Sequence, residues 1–524
     1  MTEIPRIKLN KIISKIPVTF ESSGIKDDIE VTGICFDSRN IKIGNIFIAL
    51  KGGNFDGHKY IKDAIVNGAS AIVGQNETLV DLGVPYIKVE NSREAMAYVS
   101  AAYYGFPSKK LVVIGVTGTD GKTTTANIIY SILITAGIKA GMISTVNAVI
   151  GDRVLDTGFH VTTPESPFIQ NYLYEMVQNG ITHVVLEATS HGLAQERVTA
   201  CDFDIGVVTN ITHEHLDYHG DYESYFKAKA KLFKFLSTSV IKNNVDKLAV
   251  LNKDDNSFEK LNKIVNVKKV DYSVYFDSGD FCAKNIKTHK NGLQFDVIGN
   301  GIKQNIICPL PGDYNISNCM AAIGATVYGL GINSIIAAKG IQSMGVVPGR
   351  MEKIEMGQDF TAIVDFAHTP NALRSSLSAA KDMTNKKVIA IFGSAGLRDK
   401  QKRRMMAEIS LKIADISILT AEDPRTESLT DILNEMSIAA EAQGGVYGKT
   451  YYVVRDRGEA ILLGIQMASK GDIVIACGKG HEQSMCFGEI EYPWDDRQAM
   501  RSALAKVLNI EGPELPFLPT QISE

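Results

Sequence analysis

Absences narrow the field first. None of the seven cysteines, at 35, 201, 282, 308, 319, 477 and 486, stands in a C-x-x-C spacing, and their number is odd. That argues against a zinc ribbon and fits reduced thiols. No apolar run approaches the length that spans a bilayer, and the opening MTEIPRIKLNKII lacks the continuous apolar core of a secretory leader. A soluble, cytoplasmic protein with no membrane insertion is therefore expected. Neither sign of charge is in large excess: the formal net charge is -4 over 524 residues, which gives no reason to expect a nucleic-acid partner. The densest basic run, KQKRR at 400–404, reads as a solvated helix face. There is no low-complexity segment and no solenoid-like repeat, and 45% hydrophobic with 22% charged residues is ordinary globular composition.

What is present is a chain too long for one core, suggesting roughly three domains. Its most informative stretch is VVIGVTGTDGKTTTANIIYSIL at 112–133, a β-like apolar run, a Gly/Thr turn and a helix-like run. Thr117, Gly118, Thr119, Asp120, Gly121, Lys122, Thr123 and Thr124 supply small residues where backbone N–H groups close on phosphate, a lysine for the terminal phosphates and a hydroxyl for Mg²⁺. The match to G-x-x-x-x-G-K-[ST] is imperfect, since Val116 stands at the first glycine. Such a cradle alone leaves a kinase, a GTPase, a motor and a ligase open.

Around it the chain reads as α/β throughout. A small unit alternates β-like runs with Gly/Asn/Asp turns up to AAYYGFPSKKL, giving a first domain over 1–108. The runs HVVLEATSHGL, FDIGVVTNITHEHL and KLAVLNKDD continue a P-loop ATPase domain over 109–345. MGVVPGRME is the second punctuation. After it TAIVDFAHTP, KVIAIFGSAG, ISILTAEDPR and GDIVIACGKGHE read as a doubly wound, Rossmann-like sheet over 346–524. Ligands in open parallel sheets bind at the carboxyl ends of strands, so Glu187 after HVVL, and His215 with Asp217 after IGVVTN, are placed to meet the phosphate site.

GVTGTDGKTTT, LEATSHGLAQERV, NITHEHLDYHGDYESYFKAKAKLF, LPGDYNISN, VPGRME and VDFAHTP occur in that order, and together they resemble the Mur ligases of bacterial cell-wall synthesis. The resemblance runs from DSRNIKIGNIFIALKG to GKGHE and implies the three-domain Mur ligase architecture. Within the family, TTP at 162–164 and SHGL are similar to the enzymes that add the third residue of the stem peptide. The implied reaction is ATP-dependent: the D-Glu γ-carboxylate of UDP-MurNAc-L-Ala-D-Glu takes the γ-phosphate, and an amine then displaces phosphate from the acyl phosphate. The resemblance implies Lys122 at the γ-phosphate, Thr123 and Glu187 on one Mg²⁺, and His215 on a second. It also implies a lysine carbamylated by CO₂, matched to Lys229 rather than Lys227 or Lys231 because it lies four residues after Tyr225. Asn315, Asn318, Arg350, Asp365 and His368 fall at positions that touch the nucleotide or join the second and third domains. Ser38, Thr162, Thr163, Thr189, Gln195 and Arg197 fall at those for the UDP-muramoyl dipeptide, with Thr189 in place of the usual serine. A monomer is expected.

The amine should lie on the third domain. Enzymes of the family that use meso-diaminopimelate carry DNPR, whose arginine can grip the distal carboxylate, together with an arginine in the preceding loop and GKGHE. This chain has EDPR, with Asp423, Pro424 and Arg425, then Arg398 in GLRDK, and Gly478 and Glu482 in GKGHE. Arg425 favours meso-diaminopimelate. Asp423 stands where asparagine is usual and keeps L-lysine open, since an added anion could suit an ammonium. Three other readings are a folylpolyglutamate synthase, disfavoured by TTPE, SHGL and GKGHE, a plain P-loop hydrolase, and a silent nucleotide-binding scaffold, expected to lose Lys122, Glu187, His215 or Lys229.

Overall fold

Short apolar runs, most of them rich in β-branched residues, in VVIGVT, HVVLE, IGVV and LAVLN suit strands buried on both faces, and they form the centre of one sheet. The structure, a computed structural model, describes residues 6–23, 29–52, 56–76, 82–155, 163–212, 214, 216–242, 245–289 and 292–521. Among the described residues no helix is long and apolar enough to cross a membrane.

The first unit is a five-stranded sheet. Gly33–Cys35, Asn45–Ile48, Ala71–Gly74 and Tyr86–Val89 run parallel in that order, and Phe20–Ser23 joins the last of them antiparallel. Ser92–Tyr103 covers one face, with Ala95, Met96, Val99 and Ala102 packed on Ile46, Ile48, Val73 and Ile87.

The second unit is an eleven-stranded sheet centred on Val112–Thr117. That strand lies parallel between His183–Glu187 and Ile205–Val208. Leu248–Asn252 and Lys268–Ser273 extend the sheet in parallel, and the strands Phe281–His289, Gly292–Gly299 and Ile302–Cys308 finish it as an antiparallel meander. Alternate residues of the central strand face opposite layers: Ile114 and Val116 meet Lys122–Thr135 and Tyr314–Ile323, and Val113 meets the layer containing Tyr222–Thr238. A Cβ on Gly115 would fall 2.7 Å from both Leu232 and Phe203. The missing side chain lets Tyr222–Thr238 approach the sheet closely, and this sets the depth at which Lys229 sits.

In the third unit Thr361–Asp365, Ile473–Cys477, Val388–Phe392, Ile416–Leu419 and Tyr451–Val453 lie side by side in parallel, with Glu352–Ile354 antiparallel at the edge. Helices cover the sheet, as a doubly wound fold requires, but the strand order differs from that of a dinucleotide-binding domain. The last parallel strand is inserted beside the first, which puts GKGHE, at its carboxyl end, in the middle of the sheet next to Asp365.

The basic run 400–404 differs from its expected solvated face. Arg403 is fully buried and binds Glu427 and Glu435, and Lys402 also points inward. In the third unit Gln401–Ile413 packs against Leu429–Ala442, so two of the five residues of the run are turned away from water.

Candidate functional site

The cradle is built by backbone that only glycine adopts easily. Gly118 has φ +151° and Gly121 φ +79°, and a Cβ on Gly121 would lie 2.2 Å from Asn318 Oδ1. The loop after Ile205–Val208 holds the turn in shape. Asn210 accepts from the Thr119 and Asp120 amides at 2.7 and 3.0 Å, and Thr209 Oγ1 donates to the Asp120 carbonyl at 2.6 Å. The first N–H groups of Lys122–Thr135 have no intrahelical acceptor and form the anion-binding end.

Thr123 Oγ1 donates to both oxygens of Glu187, at 3.2 and 3.0 Å, and the Thr145 amide donates to Glu187 Oε2 at 3.1 Å. Glu187 is the last residue of its strand and is 1% exposed. Lys122 Nζ donates to the Thr119 carbonyl at 2.8 Å, and burial lowers its pKa. Of the three lysines in YFKAKAKLF, Lys229 is turned into the cradle, donating to the Gly118 carbonyl and lying 4.6 Å from the centre of the Tyr225 ring. Lys227 is exposed, and Lys231 pairs with Glu196 at 2.5 Å. Burial, and then the Lys122 charge, push the Lys229 pKa well below its ordinary value. His215 and Thr162 lie outside the described residues. Among the described residues no three His, Cys, Asp or Glu side chains converge as a ready-made metal site.

The cradle opens into a cleft of 310 Å³ whose walls come from two units: Gly121, Asn315 and Asn318 on one side, Arg350 and Asp365 on the other. Asn318 Nδ2 donates to Asn315 Oδ1 at 2.8 Å, and Arg350 Nη2 reaches Thr123 Oγ1 at 3.3 Å. The Asp365 carboxylate accepts from the Met351 and Ala367 amides and from Ser376 Oγ, at 2.7, 3.0 and 2.7 Å. It therefore organises the joint between units. Arg350 and His368 both lie against the Phe366 ring, and burial lowers the His368 pKa to about 4, aided by Lys402.

Thr163, Thr189, Gln195 and Arg197 form one cluster at the other end of Glu187. Thr163 Oγ1 lies 2.9 Å from Thr189 Oγ1 and donates to the Glu187 carbonyl at 3.1 Å, while Arg197 binds the Thr163 carbonyl, Gln195 Oε1 and Glu165. Glu165, the acid of TTPE, was not singled out from sequence, although its quoted motif carried it. Ser38 lies apart from this cluster, in a 690 Å³ cleft of the first unit with Asp37, Tyr60 and Asn67.

On the third unit the loop carrying Arg398 is tied to EDPR: the Gly396 amide donates to the Asp423 carbonyl at 2.9 Å, and the Leu397 amide to Glu427 at 3.0 Å. Arg398 is exposed. The Asp423 carboxylate is turned into the protein. It is 6% exposed and pairs with Lys479 of GKGHE, while its Oδ1 also accepts from the Cys486 amide. Burial opposes the Lys479 charge, but Glu482 and Asp423 outweigh it and raise its pKa. Pro424 is buried, and Glu427 is taken by Arg403 and Lys400, leaving the half-buried Arg425 guanidinium with no ion pair among the described residues. Gly478 has φ +115° and gives the room that Glu422 occupies. Glu422, unnoticed in the sequence, is a buried carboxyl whose pKa burial raises to about 7.

A strand-loop-helix cradle of this form places the chain among the P-loop nucleotide-binding proteins. Family descriptions match most of its length: "Mur ligase family, catalytic domain" over 30–104, "Mur ligase middle domain" over 116–326 and "Mur ligase, glutamate ligase domain" over 349–480. The chain belongs to the Mur ligase family and is an ATP-dependent ligase. It is 37% identical over 507 residues to the UDP-N-acetylmuramoyl-L-alanyl-D-glutamate--2,6-diaminopimelate ligase of Clostridium tetani, covering 96% of this chain and 100% of that one. It is 38% identical over 487 residues to the UDP-N-acetylmuramyl-tripeptide synthetase of a Roseiflexus sp., covering 91% and 95%. A solved structure of a UDP-N-acetylmuramoyl-L-alanyl-D-glutamate--2,6-diaminopimelate ligase superposes with a TM-score of 0.65 at 28% identity, covering 96% of this chain and 100% of that one.

Proposed function

We propose that the chain joins an amino group of meso-diaminopimelate to the D-Glu γ-carboxylate of UDP-MurNAc-L-Ala-D-Glu, with ATP converted to ADP and phosphate. One observation carries this reading: Glu187 belongs to both sites. Its carboxylate accepts from Thr123 of the cradle, and its carbonyl accepts from Thr163 of the hydroxyl-lined cluster. A phosphate donor and a carboxylate acceptor held at the two ends of one residue are already neighbours, which is what transfer between two anions requires.

In the first step a γ-carboxylate oxygen attacks the γ-phosphorus and the bond to the β-phosphate oxygen breaks. Lys122 and the amides of Gly121 to Thr124 face the phosphates, and Asn315, Asn318 and Arg350 bound the nucleotide cleft, with Asp365 and His368 behind them. Thr163, Thr189, Gln195 and Arg197, with Thr162, would hold the dipeptide end, and Ser38, which lines the 690 Å³ cleft, would meet the uridine diphosphate end. In the second step the amine nitrogen attacks the acyl carbon, phosphate leaves and the nitrogen loses a proton. Arg425 and Arg398 meet the distal carboxylate, beside Gly478 and Glu482.

The oxygen donors present fit Mg²⁺, which takes one or two carboxylates and substrate phosphates rather than an all-protein cage. Thr123 and Glu187 would hold one ion, and His215 with Lys229 in carbamate form a second. Two bound Mg²⁺ ions offset the charge of the terminal phosphates. Lys229 suits carbamylation by CO₂ because its depressed pKa favours the neutral, nucleophilic amine. Domain limits of 1–108, 109–345 and 346–524, a cytoplasmic location and a monomer complete the reading. L-Lysine loses the support that Asp423 lent it, since that carboxylate already has Lys479 as partner.

The test is to offer meso-diaminopimelate and L-lysine in parallel with ATP, Mg²⁺ and UDP-MurNAc-L-Ala-D-Glu, following ADP release and product mass. ADP release that ignores both acceptors would instead identify a P-loop hydrolase.

A further inference from the structure

Across the gap between the second and third units, a carboxylate and an ammonium meet that the chemistry above leaves unused. Glu214 follows the strand Ile205–Val208 and is 5% exposed. Lys402 sits in the first turn of Gln401–Ile413, and its Nζ donates to Glu214 Oε1, the two side chains keeping 17% and 4% of their exposure. The first turn of a helix presents its positive end, and this one has neither an acidic residue nor a side-chain cap there. Its neighbours Lys400 and Arg403 are matched within their own unit by Glu427 and Glu435. Among the described residues, the partner of Lys402 lies in the other unit.

Both ends of the pair are anchored to what matters for the reaction. Glu214 acts through space on Asp120, Lys122 and Lys229, so it belongs to the surroundings of the cradle. Lys402 follows the loop 396–399, which is bonded to EDPR through Gly396 and to Glu427, just beyond it, through Leu397. Seating Lys402 on Glu214 therefore seats the amine-binding loops over the cradle. Phosphoryl transfer draws on the cradle of the second unit, with Arg350 and Asp365 of the third only walling the nucleotide cleft, whereas the amine must be carried in by the third unit.

We propose that Glu214 and Lys402 are a latch that docks the third unit on the second, making them positioning residues for the amine step rather than for carboxylate activation. The proposal rests on the ligase reading. Truncating one partner leaves the other charge buried and unpaired, so either single change should be costly.

The test separates the two half-reactions in the full-length chain. Hydroxylamine, small enough to need no binding loop, attacks the acyl carbon and releases phosphate, so hydroxamate reports activation alone. Lys402→Met should lower kcat/KM for the amine about 10- to 100-fold, while hydroxamate formation stays within about threefold of the parent. Lys402→Arg should keep most ligation, and Glu214→Gln with Lys402→Met should lose no more than the worse single variant. Independently of activity, small-angle scattering of the unliganded Lys402→Met chain should give a larger radius of gyration. Equal loss of ligation and hydroxamate, additive losses in the double variant, or unchanged scattering would each overturn the latch. If the parent chain itself ligates no amine, the ligase reading fails, and the scattering arm alone still decides the latch.

Discussion

Lys479 Nζ bonds both carboxylate oxygens of Asp423, at 2.9 and 3.0 Å, inside the third unit. The residue that looked like a countercharge for a substrate ammonium is the countercharge of a protein lysine. The two acidic residues nearest Arg425 in sequence, Asp423 and Glu427, are committed to Lys479 and Arg403, and among the described residues its guanidinium has no ion pair.

Amine choice follows from this. Arg425→Ala should reduce use of meso-diaminopimelate by a factor of tens to thousands, the cost of about 2–5 kcal/mol for an unpaired charged partner, while hydroxamate formation persists. Asp423→Asn should leave the preference for diaminopimelate over L-lysine within about threefold, because Glu482 still holds Lys479. Competition assays on the two variants check both, and a switch to L-lysine in the parent chain would refute the assignment.

Lys229 carries the second expectation. Lys229→Ala should lose most activity and regain part of it with acetate, which can occupy the vacated oxygen-ligand position. Lys227→Ala and Lys231→Ala should stay near the parent, because one lysine is exposed and the other is bound to Glu196. A carbamate signal in ¹³C NMR after equilibration with labelled bicarbonate should appear in the parent and vanish in Lys229→Ala. Its persistence in that variant would place the carbamate elsewhere.

What the sequence discloses depends on how far apart the partners lie. The cradle is legible because Gly118 to Thr124 act as one short backbone turn between a strand and a helix. The Glu187 position is legible because a strand end in a parallel sheet has a known direction. Lys229 is singled out by family resemblance alone; the physical reason for its depth is Gly115, far away in sequence, which lets the helix sink onto the sheet. Asp423 misleads because its partner is 56 residues away, and Lys402 looks like one member of a solvated basic run because Glu214 is 188 residues away. Tertiary pairing of charges leaves no local periodicity to read.

The tight contact between Gly121 and Asn318 gives a third expectation. Gly121→Ala must hold φ +79° with a side chain and displace Asn318 Oδ1 from 2.2 Å, so it strains the turn and disturbs one wall of the nucleotide cleft together. Affinity for an ATP analogue should fall at least about tenfold, with binding of the UDP-muramoyl dipeptide little changed. Calorimetric titration of each ligand checks the split. Equal weakening of both would indicate general damage to the fold. Lys122→Ala should behave differently, retaining nucleotide while abolishing ADP release.

The last expectation concerns acid. The His481 ring packs on Phe366, and its backbone lies so close to Gly349 that a Cβ there would come within 2.2 Å of the His481 amide, which puts the residue at the joint of the second and third units. Burial, and then the Arg350 charge, lower its pKa from 6.5 to about 3, and His368 nearby is lowered to about 4. A base whose folded-state pKa is depressed binds its proton more readily when unfolded. The unfolded state therefore holds more protons between the two values, and stability rises with pH there. Stability should be level above pH 6.5 with respect to these groups and should fall as pH drops from about 6.5 towards about 4, by up to about 1.4 kcal/mol per pH unit for each ring. His481→Phe keeps an aromatic against Phe366 and removes one titration, so its melting temperature should decline less steeply over that window. Thermal melts of parent and variant at matched pH give the comparison, and parallel acid limbs would mean that His481 takes its proton without unfolding the joint.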